Sequence, residues 1–548
     1  MTSIFVKNTF LMDVLEYFNV VHIHEPLPEG QTANSESDLE KQVTNMGQDS
    51  LSSSGSGEDS TGAADGQGEY GSVLQKNGTD PFLVDWYGPQ DPDYPVNWTM
   101  AKKIFLVIQI MLLTCLTYMG SSIYTPGQEE IQKDFHVGHV TATLNLSMYV
   151  LGYGLGPIIF SPLSEVAKFG RQQIYIYTFF LFMVFQVGCA TVKNIGGLVV
   201  LRFFSGILCS PSLATGGATM GDIVEAKWRP VLIGLWAIGA VAAPVLAPLL
   251  GAAMVVAKNW RWIFWLMLWM CGASLILFVI CFPETSANNI LSRRARRLRK
   301  QTGDDRYYTT QERIDSAIEP KQFLITTLYR PIKMILLEPI IMAFDLYIAL
   351  CYGAFYLFFE AFPIVFIGLY KFTLVEMGVA YFGFCVGCIF AYALLLLFLA
   401  KVLGPRFEKG EGTPETFLLL AMCVSWCLPC ALFLFGWAAN THWIVPIIAE
   451  GIFVIAVFNL FQASFAYLSV CYPKYVASVF AGNGFCRAVF ACAFPLFGKA
   501  MYDNLAIDGY PVGWGSSLVG FITMFLAAIP FVLYKYGPAL RAKSRFKD

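Results

Sequence analysis

The chain has 548 residues, of which 56% are hydrophobic and only 14% charged, and its mean hydropathy is +0.55. A soluble chain of this length needs a polar skin, with roughly a quarter of its residues charged. The composition therefore excludes an ordinary soluble protein and makes lipid the main solvent. A net charge of −2 leaves no nucleic-acid footprint, and 14 cysteines at irregular spacing fit neither a disulfide framework nor a zinc site.

Residues 1–98 read as a disordered cytoplasmic tail. Residues 31–80 are rich in Ser, Gly, Asp, Glu and Gln and nearly free of large aliphatics, too polar to offset the entropy of ordering. The opening Ile4–Val20 is interrupted by Lys7, Asp13 and Glu16, so it is not a secretory signal.

From Ile104 onward, apolar segments near 20 residues recur, each long enough to cross a ~30 Å hydrocarbon core. They cover 104–124, 142–163, 174–191, 196–220, 231–252 and 262–282, then 339–360, 375–400, 416–436, 443–470, 476–499 and 515–535. The expected domains are a six-helix half over 99–282, a cytoplasmic central loop over 283–338, a second six-helix half over 339–535 and a cytoplasmic end over 536–548. The fold class is an all-α membrane protein with 12 spans.

With both termini in the cytoplasm, 29 of the 37 Lys and Arg residues fall on the cytoplasmic side and 6 on the other. That split satisfies the positive-inside rule. The sequons at Asn77 and Asn97 then face the cytoplasm and carry no sugar. The basic run Arg293–Lys300 reads as an anchor against anionic inner-leaflet lipid.

Charge inside hydrocarbon is costly, so each intramembrane ionisable residue is a functional candidate. These are Arg202 in span 4, Asp345 and Glu360 in span 7, Glu450 in span 10 and Arg487 in span 11. Spans 3, 6, 9 and 12 hold none in their interiors and read as the lipid-facing helices, which leaves 4, 7 and 10 around a shared midplane cavity. The carboxylates could bind and release protons, while either arginine could tune one of them. Glu360 reads equally as a hydrated residue where its span leaves the membrane, and Asp345 as a snorkelling one.

Three stretches carry a resemblance. The loop Ser161-Pro-Leu-Ser-Glu165 through Gly170-Arg171, with Asp222 as a second acid, is similar to a cytoplasmic gate motif. Glu stands where Asp is commoner, two residues further from the glycine than the motif has it. Leu198-x3-Arg202-x3-Gly206 is similar to a motif whose arginine is tied to proton coupling. Span 5 carries Gly239-x3-Ala243-Pro244-x2-Ala247-Pro248-x2-Gly251, an antiporter motif with two alanines for glycines. Small residues at this spacing clear one helix face for close packing. Together these motifs resemble the twelve-span fungal drug:proton antiporters of the major facilitator superfamily. Trp260-Arg-Trp, Phe282-Pro-Glu-Thr285 and Phe494-Pro-Leu-Phe497 extend the resemblance over nearly everything after the tail.

The resemblance implies a plasma-membrane exporter of azoles, benzimidazoles and other toxic amphiphiles, working as a monomer in membrane lipid. It needs no cofactor beyond a proton gradient, and no nucleotide-binding motif G-x4-G-K-[ST] occurs. Two aromatic sets are candidate drug-binding surface: Met148, Tyr149 and Tyr153 in span 2, and Tyr347, Tyr352, Tyr356 and Phe359 in span 7. Aromatic packing is the plainer reading of any single ring. Cys423, Cys427 and Cys430 read as apolar filler. The alternatives are a uniporter or proton-coupled importer on the same fold, a transport-inactive sensor, or a membrane-bound enzyme. The last is disfavoured by a chain with five histidines, of which only His136 and His139 pair near a membrane edge, where they read as a loop.

Overall fold

The computed structural model describes residues 7–18, 20–21, 23–25, 80, 82–317 and 320–546. The disorder expected over 31–79 and the Asn77 sequon lie outside the described residues. Twelve helices are long and apolar enough to cross a membrane. Spans 1 to 6 are Met100–Ser122, His139–Leu163, Gly170–Thr191, Ile195–Asp222, Arg229–Ala257 and Arg261–Cys281. Spans 7 and 10 are Pro339–Phe362 and Ile444–Cys471, and span 11 is Val476–Leu505. Spans 8, 9 and 12 are interrupted, starting at Leu374, Leu418 and Gly513.

Local chemistry sets the boundaries. Asn194 caps span 4 by accepting from the Gly197 amide at 2.6 Å. Span 7 ends at Pro363, where the chain widens into a π turn over Pro363–Leu369. Thr373 and Glu376 form a capping box at the start of span 8.

The first six spans pack on one another and so do the last six; the halves meet where span 2 lies against span 11 and span 5 against span 8. Gly154 of span 2 sits so close to Ala488 of span 11 that a methyl group there would overlap it. Span 7 is the most enclosed, with 83% of its apolar window buried. The least covered is span 8 at 33%, below spans 3, 6, 9 and 12. Lack of interior charge therefore does not single out the lipid-facing helices. Span 8 turns one strip to the partner half and leaves Val386, Ile389 and Phe390 bare, all of them apolar and suited to acyl chains.

The chain before span 1 departs from a tail disordered throughout. Phe10–Tyr17 is helical, and residues 82–98 pack on the basic helix Ala287–Thr302. That helix does not lie bare against lipid. Arg294 is 1% exposed and bonds Asp91 at 2.8 Å and Asp93 at 2.9 Å. Arg293 pairs with Asp13 at 2.7 Å, and Arg297 with Glu16 and Glu25 at 3.0 Å. Acidic residues placed before the first span neutralise the run, which the positive-inside rule cannot see because it counts only Lys and Arg. Asn97 donates to the Pro89 and Asp91 carbonyls within the same cap.

Candidate functional site

Arg202 is fully enclosed, 1% exposed. Its guanidinium donates to the Gly120, Ser121 and Asn145 carbonyls at 2.6, 3.1 and 3.2 Å, and lies 4.5 Å from the Tyr149 ring. Gly120 and Ser121 belong to the last turn of span 1, whose carbonyls lack helical donors and carry the negative end of the helix dipole. Arg202 is thus balanced by a helix C-terminus, and no carboxylate is among its hydrogen-bond partners. Tyr149 turns the same way, its hydroxyl donating to the Thr117 carbonyl at 2.6 Å. It packs inside the first half rather than lining a wall between the halves.

The aromatics that do meet across the halves are Tyr153 of span 2 with Tyr352 and Tyr356 of span 7. The Tyr153 hydroxyl is 3.0 Å from that of Tyr352 and 3.1 Å from that of Tyr356, and Tyr356 donates onward to Ser121. Tyr118 stands edge-on to Tyr153. The expected midplane cavity is therefore closed by side chains in contact. Phe359 stacks on Tyr381 of the span-8 break, and Tyr347 is buried nearer the other end of span 7. Met148 is half-buried and lies outside the core that takes in Tyr149 and Tyr153.

Below the tyrosines, Arg487 faces the rings of Tyr352, Phe461 and Phe465 at 5.1 to 5.7 Å. Asp345 lies within electrostatic reach of Arg487 and accepts from the Asn483 side-chain amide at 2.7 Å. At 1% exposure it does not snorkel. Asn483, one turn before Arg487 on the same helix face, escapes a search confined to ionisable residues; polar residues in spans are the signal that finds it. Glu450 stands apart. It is 0% exposed and packed against Gly383 and the Phe384 backbone of span 8, with no side-chain partner for its carboxylate. Glu360, 7% exposed, is not simply hydrated: its Oε2 is 3.2 Å from Nε2 of His139. His139 is the first residue of span 2, not part of a loop.

The gate loop differs in one respect from its expected pairing. Arg171 holds Asp222 through two bonds, at 2.6 and 3.3 Å, while Glu165, an exposed residue, stays within electrostatic reach of both and caps no helix amide. The capping role falls to Glu284 instead. This buried carboxylate accepts from the Arg171 and Gln172 amides at the start of span 3, and from Thr285 and Ser286. Gly170 adopts φ +67°, and a Cβ there would strike Glu284 and Asn289. The sequence signal was Pro-Glu-Thr-Ser just before a helix, an N-terminal capping pattern.

The span-5 motif lies against span 1. Ala243 and Ala247 are 0% exposed, the Pro244 carbonyl accepts from Ser122, and a Cβ on Gly251 would come 2.4 Å from the Ile123 carbonyl oxygen. Gly239 meets Met111 of span 1, and Pro248 is buried with the alanines. Among the described residues, no three His, Cys, Asp or Glu side chains gather as metal ligands.

Comparisons with known proteins agree with this architecture. The chain is 62% identical to the Fluconazole resistance protein 1 of Saccharomyces cerevisiae, covering 99% of this chain and 98% of that protein. It is 59% identical to the multidrug transporter FLR2 of Candida glabrata, over 98% of each chain. A partially occluded, inward-open structure of the xylose transporter XylE from E. coli superposes on 79% of this chain and 99% of its own, with a TM-score of 0.53 at 14% identity, a likeness of fold alone. The Major Facilitator Superfamily profile matches residues 110–495. A transporter architecture in twelve spans, near-full-length relatives and the profile lead to one assignment: the chain belongs to the major facilitator superfamily.

Proposed function

We propose that the protein is a multidrug efflux transporter that exports azoles, benzimidazoles and other toxic amphiphiles across the plasma membrane in exchange for protons, with both termini in the cytoplasm. The observation that carries the reading is the closed aromatic contact of Tyr153, Tyr352 and Tyr356 at the seam of two six-helix halves. The resistance functions named in its relatives supply the cargo class. When the halves rock apart, these rings become an apolar wall with hydroxyl donors, suited to unrelated drugs with few fixed polar contacts.

Asp345 is the first choice of proton carrier. Span 11, which supplies its hydrogen bond from Asn483 and the charge of Arg487, is also the span that packs on span 2 of the other half, so rocking changes the surroundings of Asp345 and with them its affinity for a proton. Glu450 and Glu360 are further carriers. Arg202 tunes the transition by locking spans 1, 2 and 4 together, and Arg171 with Asp222 and Glu284 secures the gate loop. The small-residue face of span 5 sets the spacing to span 1.

The energy suffices without a cofactor. One proton moving inward across 100 mV releases about 2.3 kcal/mol, and two pH units add about 2.7. Together they sustain a drug gradient of roughly three to four decades. The test is accumulation of radiolabelled fluconazole in cells with and without the protein, each repeated with a protonophore. Lower accumulation that a protonophore abolishes is expected; lower accumulation that survives it points to a different energy source.

A further inference from the structure

We propose that His139 and Glu360 form the latch that keeps the halves shut at the end of the bundle remote from the termini, and that outside protons release it. Span 2 begins and span 7 ends at that end, so the two residues face each other across the seam. Among the described residues, theirs is the one ion pair that joins a span of the first half to a span of the second. The other closure at this end is apolar: Gly378 of span 8 lies directly on Leu249 of span 5.

The surroundings fit a latch rather than a chance contact. Nε2 of His139 is 3.2 Å from Oε2 of Glu360, and the other side of the ring is flanked by Thr143, whose hydroxyl lies 3.4 Å from Nδ1 and accepts from the Gln128 side-chain amide at 2.7 Å. The His139 side chain is 25% exposed and Glu360 7%, so protons reach the pair from one side while the carboxylate stays largely dry. Span 11 closes over it at Gly498. The titratable groups facing Glu360 from other elements are His139, Tyr124, Tyr381 and Tyr502, with Arg202 behind Tyr124.

A ring N–H facing an ionised, largely desolvated carboxylate makes a charge-assisted bond. Opening the seam at this end breaks that bond, so the pair holds the halves together for as long as Glu360 is ionised and facing the ring N–H. One proton on the pair still permits a strong bond; a second neutralises the carboxylate while the ring stays cationic, and the attraction is lost. Acid outside thus favours the outward-open form. This use of the latch rests on the proton-exchange reading, whereas the latch itself does not.

Ser121, 0% exposed and covered by Tyr356, reports the seam. The experiment introduces Ser121→Cys into the full chain in intact cells. The rate of modification at that residue by a membrane-impermeant methanethiosulfonate is read by peptide mass spectrometry against the unsubstituted chain. Modification is expected to be about tenfold faster with Glu360→Gln or His139→Ala added, and slow again with His139→Lys. Acidifying the outside accelerates it in the parent and not in Glu360→Gln. Equal rates in all four chains at both pH values overturn the latch. Fluconazole efflux measured in the Ser121→Cys parent separates the two ideas: faster modification in the variants with no proton-dependent efflux in the parent retains the latch and removes the exchange reading, while proton-dependent efflux in the parent with no faster modification in the variants removes the latch.

Discussion

At the scale of single residues, burial turns each charge into a question of partners. Arg202 was legible as an intramembrane cation that could tune a carboxylate, but the partners the structure gives it are three carbonyls. Sequence alone cannot show that span 1 ends beneath it. Arg202→Lys keeps the charge and forfeits the planar fork, so we expect folded, membrane-inserted protein with fluconazole efflux reduced by about tenfold or more. Arg202→Ala should reduce it further; undiminished proton-linked efflux in that variant removes Arg202 from the coupling assignment. Asp345 was legible too, but Asn483 and His139 were not, because polar and partly polar side chains vanish from a tally of fixed charges.

At the scale of elements, hydropathy located the start of every span to within a few residues, since lipid demands about 20 apolar residues whatever the function, but it stopped short where spans 11 and 12 continue past the apolar core to Leu505 and Ala542. Long-range pairing was hidden. The cap formed by the N-terminal helix, residues 82–98 and the basic helix joins positions some two hundred residues apart, and composition marked its acidic half only as polar. Removing one partner of a buried pair leaves the other stranded, so Arg294→Ala should weaken the cap by about 3–5 kcal/mol, measured as new protease cleavage within residues 82–98. Burial alone would raise the Asp91 carboxyl, yet Arg294 and two backbone amides outweigh it and hold Asp91 below its ordinary value. A lowered folded-state value means that the stability Asp91 contributes is complete above the ordinary aspartate range, about 4, and is lost as pH falls through the lowered value. The protection from protease that Arg294 adds, read as parent against Arg294→Ala, should therefore be the same at pH 7 and pH 5. In span 5, Gly251→Val drives a side chain into the Ile123 carbonyl and should cost about 1–3 kcal/mol, read as a lower Tm in detergent, whereas Ala243→Gly should cost no more than about 1.

At the scale of the whole molecule, the halves are shut at both ends. Tyr392 reaches the Val231 carbonyl near the gate loop, the tyrosines close the centre, and His139 with Glu360 closes the far end. A shut seam with buried ionisable groups beside it is the arrangement that alternating access requires between its open forms. The fold was readable because two sets of six spans and a basic central loop leave few topologies. Which rings meet was not, because Tyr149 and Tyr153 share a helix face in the sequence and part company only when Arg202 draws one of them away. The most direct test of proton-driven exchange uses purified protein in liposomes with an imposed pH gradient and radiolabelled fluconazole. The account predicts uptake toward the acidic compartment, reversed when the gradient is reversed and abolished when it is collapsed; equilibration at the same rate under all three conditions would contradict it.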